Sequence, residues 1–192
     1  MNIADLIQTF RREDIENGVY VHKKPLIVLS SNMYDATKEM CHTERENLGR
    51  MLYYKSEDQS ILNQDLFIIL HMINIGYGTS VSTYPDEKRS AASHKLLSMH
   101  PKLSFIDYHT HTVSTGDAYT QQFSSMDGGD ISRLTTLIER YEGYMHVLFT
   151  PTHILTFGRN RPYFAITTKA SPVIDQEMIK LDEEFREILA TQ

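Results

Sequence analysis

An α/β fold, a mixed β-sheet flanked by helices, is what this chain predicts, and three observations carry the prediction. Apolar runs of strand length recur at residues 25–29, 48–54, 66–75, 103–106, 145–149, 153–157 and 163–167. Patterns of helical spacing or capping interrupt that series at 30–41, 85–99 and 128–141. The last three runs follow one another with no helix between them, so they read as a meander. Strands that alternate first with helices and then with turns make a sheet of mixed direction, with helices packed on its faces.

The elements follow in order. Residues 3–15 set Ile3, Leu6, Ile7 and Phe10 three to four positions apart, the spacing of a one-sided helix, and Asn17-Gly18 stops it. Residues 19–21 and 25–29 predict short strands. Ser30, Ser31 and Asn32 offer side-chain oxygens to the first unpaired N–H groups of a helix reaching Cys41. The strand at 66–75 closes at Gly76 and Gly78. Pro85 opens a helix that runs to Met99, and Pro101 precedes a strand through Leu103, Phe105 and Ile106. A polar loop covers 112–122, followed by the helix at 128–141. Ser171-Pro172 introduces a last amphipathic helix, with Ile174, Met178, Leu181, Phe185 and Leu189 on one side.

The chain's 192 residues are most simply one domain, 1–192, long enough to bury a sizeable core. Hydrophobic residues at 41% and charged residues at 23% are ordinary for a globular domain, and the net charge of −6 argues against nucleic acid as a partner. Cys41 stands alone, which excludes an internal disulfide, a Cys-based zinc knuckle and the P-C-x-x-C site of a cytidine deaminase. The start, Met-Asn-Ile-Ala-Asp-Leu, lacks the layout of a signal peptide, and no apolar run is long enough to span a bilayer. The expectation is a cytoplasmic protein with no membrane partner; the sequence leaves the oligomeric state open.

Phe105-Ile-Asp-Tyr-His109-Thr-His111-Thr is the most informative segment. Residues two apart on a strand point to the same side, so His109 and His111 can meet on one metal ion without a bend in the backbone. Neutral imidazole suits Zn²⁺ and similar divalent metals. A carboxylate is available downstream in Phe123-Ser-Ser-Met-Asp127-Gly-Gly-Asp130, where it stands at a helix start favoured for negative charge. Two histidines and one carboxylate leave a fourth zinc position for water, whose pKa falls towards ~7. Glu46, at the entrance of the strand 48–54, offers a carboxylate to move that water's proton. His94, His100, His146 and His153 are read as packing or surface residues.

Glu46-x-x-Gly49 before an apolar strand, then His109-x-His111, then a serine and an aspartate, make a sequence similar to the motif of the JAMM (MPN-plus, JAB-like or Mov34-type) zinc metallopeptidases. The chain resembles that family over residues 25–168, with the first and last helices as flanking additions. The resemblance implies an MPN/JAB-like, three-layer architecture akin to that of cytidine deaminases. It also implies a Zn²⁺-dependent metalloprotease that cleaves a peptide bond or, like a deubiquitinase, an isopeptide bond to a ubiquitin-like protein. Glu46 would then be the catalytic base, His109 and His111 two of the ligands, and Ser124 or Ser125 the hydroxyl that stabilises the oxyanion. For the third ligand, Asp127 keeps the literal S-x-x-D spacing, whereas Asp130 has Ile131 and Leu134 behind it and is favoured. The chain departs from the family at Thr112, where a Pro follows the second His, at Tyr53, where a second Gly stands, and in a longer loop after His111, suited to covering a cleft.

Two other functions fit the same residues. An MPN-like scaffold without chemistry would serve as an assembly surface. Asp107-x-His109-x-His111, with Ser114-Thr-Gly-Asp117 after it, also resembles the opening of PHP-type metal phosphoesterases, although too little chain follows to complete such a barrel.

Overall fold

Leu26, Ile27, Val28 and Leu29 are all fully buried, with no alternation between faces, as a strand covered on both sides requires. They form β2 (Leu26–Leu29) in a computed structural model that describes residues 2–19, 26–55, 66–79, 83–113, 122–125, 127–159, 163–166, 175–176, 178–180, 182–183 and 186–187. Around β2 lie β1 (Ile7–Arg11), β3 (Asn47–Lys55), β4 (Leu66–Gly78), β5 (Thr83–Pro85), β6 (Leu103–Thr110), β7 (Met145–Phe149), β8 (His153–Gly158) and β9 (Tyr163–Ile166). The helices are α1 (Arg12–Glu16), α2 (Ser31–Cys41), α3 (Glu87–Met99) and α4 (Asp130–Arg140).

All of these strands belong to one sheet, in the order β1-β8-β7-β6-β3-β4-β2-β9, with β5 beside β4. The pairs β2–β4, β2–β9 and β6–β7 are parallel and the others antiparallel, so the sheet is mixed, as expected. Phe10 of β1 and Phe164 of β9, at opposite ends of that order, meet edge to face with ring centroids 6.3 Å apart. The sheet is therefore curled. Its concave side holds Phe10, Met51, Ile106, Tyr108, Phe149 and Phe164 against Tyr34 and Cys41 of α2. On the convex side α3 covers Leu52, Leu70 and Leu103 through Leu96 and Leu97, and α4 covers Leu148, Leu155 and Phe157 through Leu134 and Ile138.

Ser30 caps α2 as the sequence predicts, accepting from the Met33 N–H. Two expectations need correction. Residues 3–15 are not one helix: a 3-10 turn at Ile3–Asp5 leads into β1, which pairs antiparallel with β8, and only Arg12–Glu16 is α-helical. Five residues with apolar positions at both spacings go where a hydrogen-bonding partner exists, and β8 offers an open edge. That same pairing explains β9. With β7 on one side of β8 and β1 on the other, no edge is left for a meander, and β9 crosses over to lie parallel to β2. Strand β4 continues past Ile75 through Gly76 and ends at Gly78, the second of the two closing glycines; a Cβ at Gly76 would sit 2.1 Å from the Tyr84 carbonyl oxygen, so glycine lets β5 approach.

Of the predicted strand at 19–21 only Val19 is described, in a turn, and 114–121 of the polar loop lie outside the described residues. In the last segment the described residues are helical and Met178 packs against the same apolar cluster as Leu96 and Leu97 of α3, while Ile174, Leu181, Phe185 and Leu189 are outside the described set. No described helix is long and apolar enough to cross a membrane.

Arg12, at the start of α1, is buried and pins the N-terminal segment to the core. Its Nε donates to the Thr150 carbonyl at 2.8 Å and its Nη1 to Thr37 Oγ1 at 3.0 Å, while the guanidinium lies 5.1 Å from the Tyr34 ring centroid. Arg12→Ala removes the packing of the stem together with both bonds. It is expected to cost about 2 kcal/mol in a urea titration.

Candidate metal centre

His109 lies on β6, a central strand held by β3 on one side and β7 on the other, where it faces Leu48 and Leu148. Two residues on, His111 has left the ladder but its N–H still donates to the Phe149 carbonyl at 2.9 Å. Both imidazoles are buried on the convex side. Their Nε2 atoms are 3.3 Å apart, the convergence that the i, i+2 spacing predicts.

Asp130 is the first residue of α4, and the helix brings its carboxylate to the pair. Asp130 Oδ1 is 3.4 Å from His109 Nε2 and Oδ2 is 3.5 Å from His111 Nε2. Among the described residues, His109, His111 and Asp130 are the group that could hold a metal ion. Asp127 is exposed and outside that group, so the structure brings together the alternative with apolar residues behind it.

Ser124 braces the aspartate. Its N–H donates to Asp130 Oδ2 at 2.9 Å, and its Oγ accepts from the Asp130 N–H at 2.8 Å. This reciprocal pair caps α4, because Gly129 at the cap position has no side chain to do so. Ser125 is exposed. Read backwards from Asp130, the S-x-x-D place of the serine is taken by Asp127.

The distances themselves test whether a cation fits. A charge-assisted N–H···O⁻ bond closes to about 2.7–2.9 Å, and both imidazole–carboxylate contacts are longer than that. Donors on a tetrahedron with bonds of about 2.0–2.1 Å stand roughly 3.3–3.4 Å from one another. The three contacts, at 3.3, 3.4 and 3.5 Å, match that spacing. Protonation states agree. Burial pushes the pKa of His109 down, against the pull of Asp130, and so favours the neutral ring that ligates. Burial alone would raise Asp130, but the His109 and His111 contacts outweigh it and hold the carboxyl well below its usual range. A neutral His109 ring and an Asp130 anion suit a cation's ligand set.

Glu46 stands immediately before β3, with its backbone fastened to the end of β4: its N–H donates to the Thr79 carbonyl at 3.0 Å and its carbonyl accepts from Gly78 at 2.9 Å. Asn47 beside it donates from its N–H to Thr110 Oγ1 at 2.9 Å, tying the start of β3 to the end of β6. Glu46 is 4% exposed, and its Oε1 is 4.0 Å from His111 Nε2. It lies next to the triad and not in it. Burial pushes its pKa up to about 7, with His111 opposing and the negative Asp130 adding to the rise.

His146 was the residue missed from sequence. It sits on β7, opposite Asp107, and its Nε2 is 2.7 Å from His109 Nδ1. Tyr144 Oη is 3.2 Å from His146 Nδ1 and donates to Asp107 Oδ2 at 3.3 Å, and Arg50 Nε donates to the other oxygen of Asp107 at 3.2 Å. A lone histidine in an apolar strand carries no sign of such a partner. His100 is buried and His153 half-buried, while His94 is exposed and rests edge-on against Phe105, in keeping with packing and surface roles. Asp107, the acid of the D-x-H-x-H reading, pairs with Arg50 instead of joining the triad.

No model of a known protein family matches the chain, and no curated protein matches it either.

Proposed function

We propose that the chain is a zinc-dependent hydrolase of the JAMM (MPN-plus) type, with an MPN/JAB-like fold. It would cleave a peptide bond or the isopeptide bond to a ubiquitin-like protein. The observation that carries this reading is a buried carboxylate, Glu46, set beside a His-His-Asp triad without belonging to it. Zinc held by His109, His111 and Asp130 would supply a Lewis acid for the scissile carbonyl and the attacking water.

The chain's own groups do the rest. Glu46 takes a proton from the attacking water and passes it to the departing amine; a carboxyl titrating near 7 serves in both directions. Burial of both imidazoles and of Glu46 keeps competing water out and strengthens each electrostatic contact. Ser124 accepts through Oγ from Asp130, which leaves its hydroxyl hydrogen to donate to the oxyanion. A crevice of about 220 Å³ between α3 and α4 has His109, Asp130, Leu134 and Leu137 in its walls. That exceeds the ~150 Å³ that accommodates a benzene ring, so one substrate side chain fits. The mixed, mostly antiparallel sheet favours this reading over a PHP-type barrel, which needs a parallel strand-and-helix repeat.

The test is metal content together with turnover. Purified full-length protein is expected to hold about one zinc per chain, and to hydrolyse a peptide or a ubiquitin-like isopeptide substrate in a reaction that chelation stops and zinc restores. Asp130→Asn should lose the metal and Asp127→Asn should keep it. Absence of bound metal overturns the proposal, as does loaded protein inert towards both substrates, the behaviour of a scaffold. More than one transition metal per chain with phosphoester hydrolysis would point to the PHP-type chemistry.

A further inference from the structure

We propose that His146, Tyr144 and Asp107 are positioning residues that fix His109 in its metal-binding tautomer and orientation, so that they set the affinity of the centre for zinc. The inference rests on the metal centre described above and adds to it residues that no ligand set contains.

The direction of every hydrogen bond along the chain follows from its two ends. If His109 offers the Nε2 lone pair to a cation, its single ring hydrogen is on Nδ1, and the group 2.7 Å away must accept. That group is His146 Nε2. With Nε2 accepting, the His146 ring hydrogen sits on Nδ1 and points at Tyr144 Oη, 3.2 Å away. Tyr144, having accepted, donates its own hydrogen to Asp107 Oδ2 at 3.3 Å. Asp107 ends the series as an acceptor, its other oxygen held by Arg50 Nε, and Arg50 is itself fixed by the Ser90 carbonyl at 3.2 Å and by Ser93 Oγ on α3. Each group has one role and no alternative, and the order runs outward from the metal side.

Ligating histidines usually lean directly on a carboxylate or a carbonyl, and loss of that support typically weakens metal binding by about 10–100-fold. Here the carboxylate is two residues further away, because the parallel register of β6 and β7 puts His146 opposite Asp107 and leaves the His109 ring facing the His146 ring, with centroids 5.0 Å apart. His111 differs: its Nδ1 is buried with no hydrogen-bond partner among the described residues. Among the described residues, the hydrogen-bonded support behind the pair is therefore the one at His109.

The experiment measures two quantities on the full chain: the zinc dissociation constant by chelator competition, and the melting temperature of the metal-free protein. His146→Leu is expected to weaken zinc by about 10–100-fold. His146→Gln, whose carbonyl can accept from His109 Nδ1–H, should recover most of that loss. Tyr144→Phe keeps the ring and removes only the hydroxyl; it should raise the dissociation constant severalfold while lowering the metal-free melting temperature by only a few degrees. Variants that bind zinc as the wild type does would overturn the inference and leave the metal centre intact. His146→Gln as weak as His146→Leu would also overturn it, since packing alone then matters. Wild-type protein that binds no divalent metal would remove both.

Discussion

Glu46→Gln is expected to bind zinc as the wild type does and to hydrolyse its substrate about 10²–10⁴-fold more slowly, the usual contribution of a positioned general base. Retention of metal follows from geometry, because Glu46 Oε1 is 4.0 Å from His111 Nε2 and the three ligand atoms come from other residues. Retention of structure follows as well. The backbone of Glu46 is held by Thr79 and Gly78, and glutamine is nearly isosteric, so the amide occupies the same place. Burial disfavours the charged form of Glu46, and a neutral side chain there removes that cost. The metal-free variant should therefore melt no lower than the wild type. What glutamine lacks is the capacity to accept a proton and return it. Zinc content, melting and turnover, measured on one preparation, separate these effects. Undiminished turnover would remove Glu46 as the base, and lost zinc would mean that the carboxylate holds the metal after all.

The parts of this site that were legible from sequence are those governed by short-range geometry. His109-x-His111 needs only the two-residue repeat of a strand, and the Nε2 atoms indeed meet. Asp130 over Asp127 follows from the apolar pattern of one helix, since Leu134, one turn behind Asp130, is in the core. Neither inference spans more than five residues. The brace from Ser124 is a local matter too: a serine or Asp127 is the expected cap of this helix, but the sequence offers two serines and does not decide which of them meets the helix start. His146 was out of reach, because its role depends on the register between β6 and β7, with the two histidines 37 positions apart in the chain.

The same distinction explains the fold. Helix α2 was legible to its cap because Ser30 and the following turn decide it locally. Residues 7–11 were not, because their apolar spacing suits either a helix or a strand and the decision lies with the open edge of β8, more than 140 residues later. Once β1 fills that edge, β9 must cross to β2. One long-range pairing thus accounts for both errors of topology.

Gly49→Ala should be strongly destabilising, because it adds a methyl where the core has no room for one. Gly49 lies opposite Tyr108 in the β3–β6 ladder, beside a register irregularity at Leu48/Gly49. A Cβ there would fall 2.2 Å from Tyr108 Cζ and 2.4 Å from its Oη, far inside van der Waals contact. The ring has little room to yield. Tyr108 is 1% exposed, packs edge-on against Phe149 with centroids 5.6 Å apart, and directs its hydroxyl to Met40 Sδ of α2 at 3.9 Å. Overpacking of a close-packed core typically costs about 1–3 kcal/mol and sometimes more, and a rigid aromatic neighbour puts this site at the upper end, about 3 kcal/mol. A denaturant titration of the metal-free protein measures it. The double variant identifies the cause: with Tyr108→Leu already in place the ring is gone, so Gly49→Ala should add much less, and the two costs should not sum. Equal costs in both backgrounds would locate the strain in the strand backbone instead. Because Tyr108 adjoins His109, a ring pushed aside also shifts β6, and Gly49→Ala is expected to loosen zinc binding although it touches none of the ligands. This links the Glu46-x-x-Gly49 spacing to the candidate centre physically: the first residue would supply the base, and the absent side chain of the last leaves space for the ring packed beside His109 on β6.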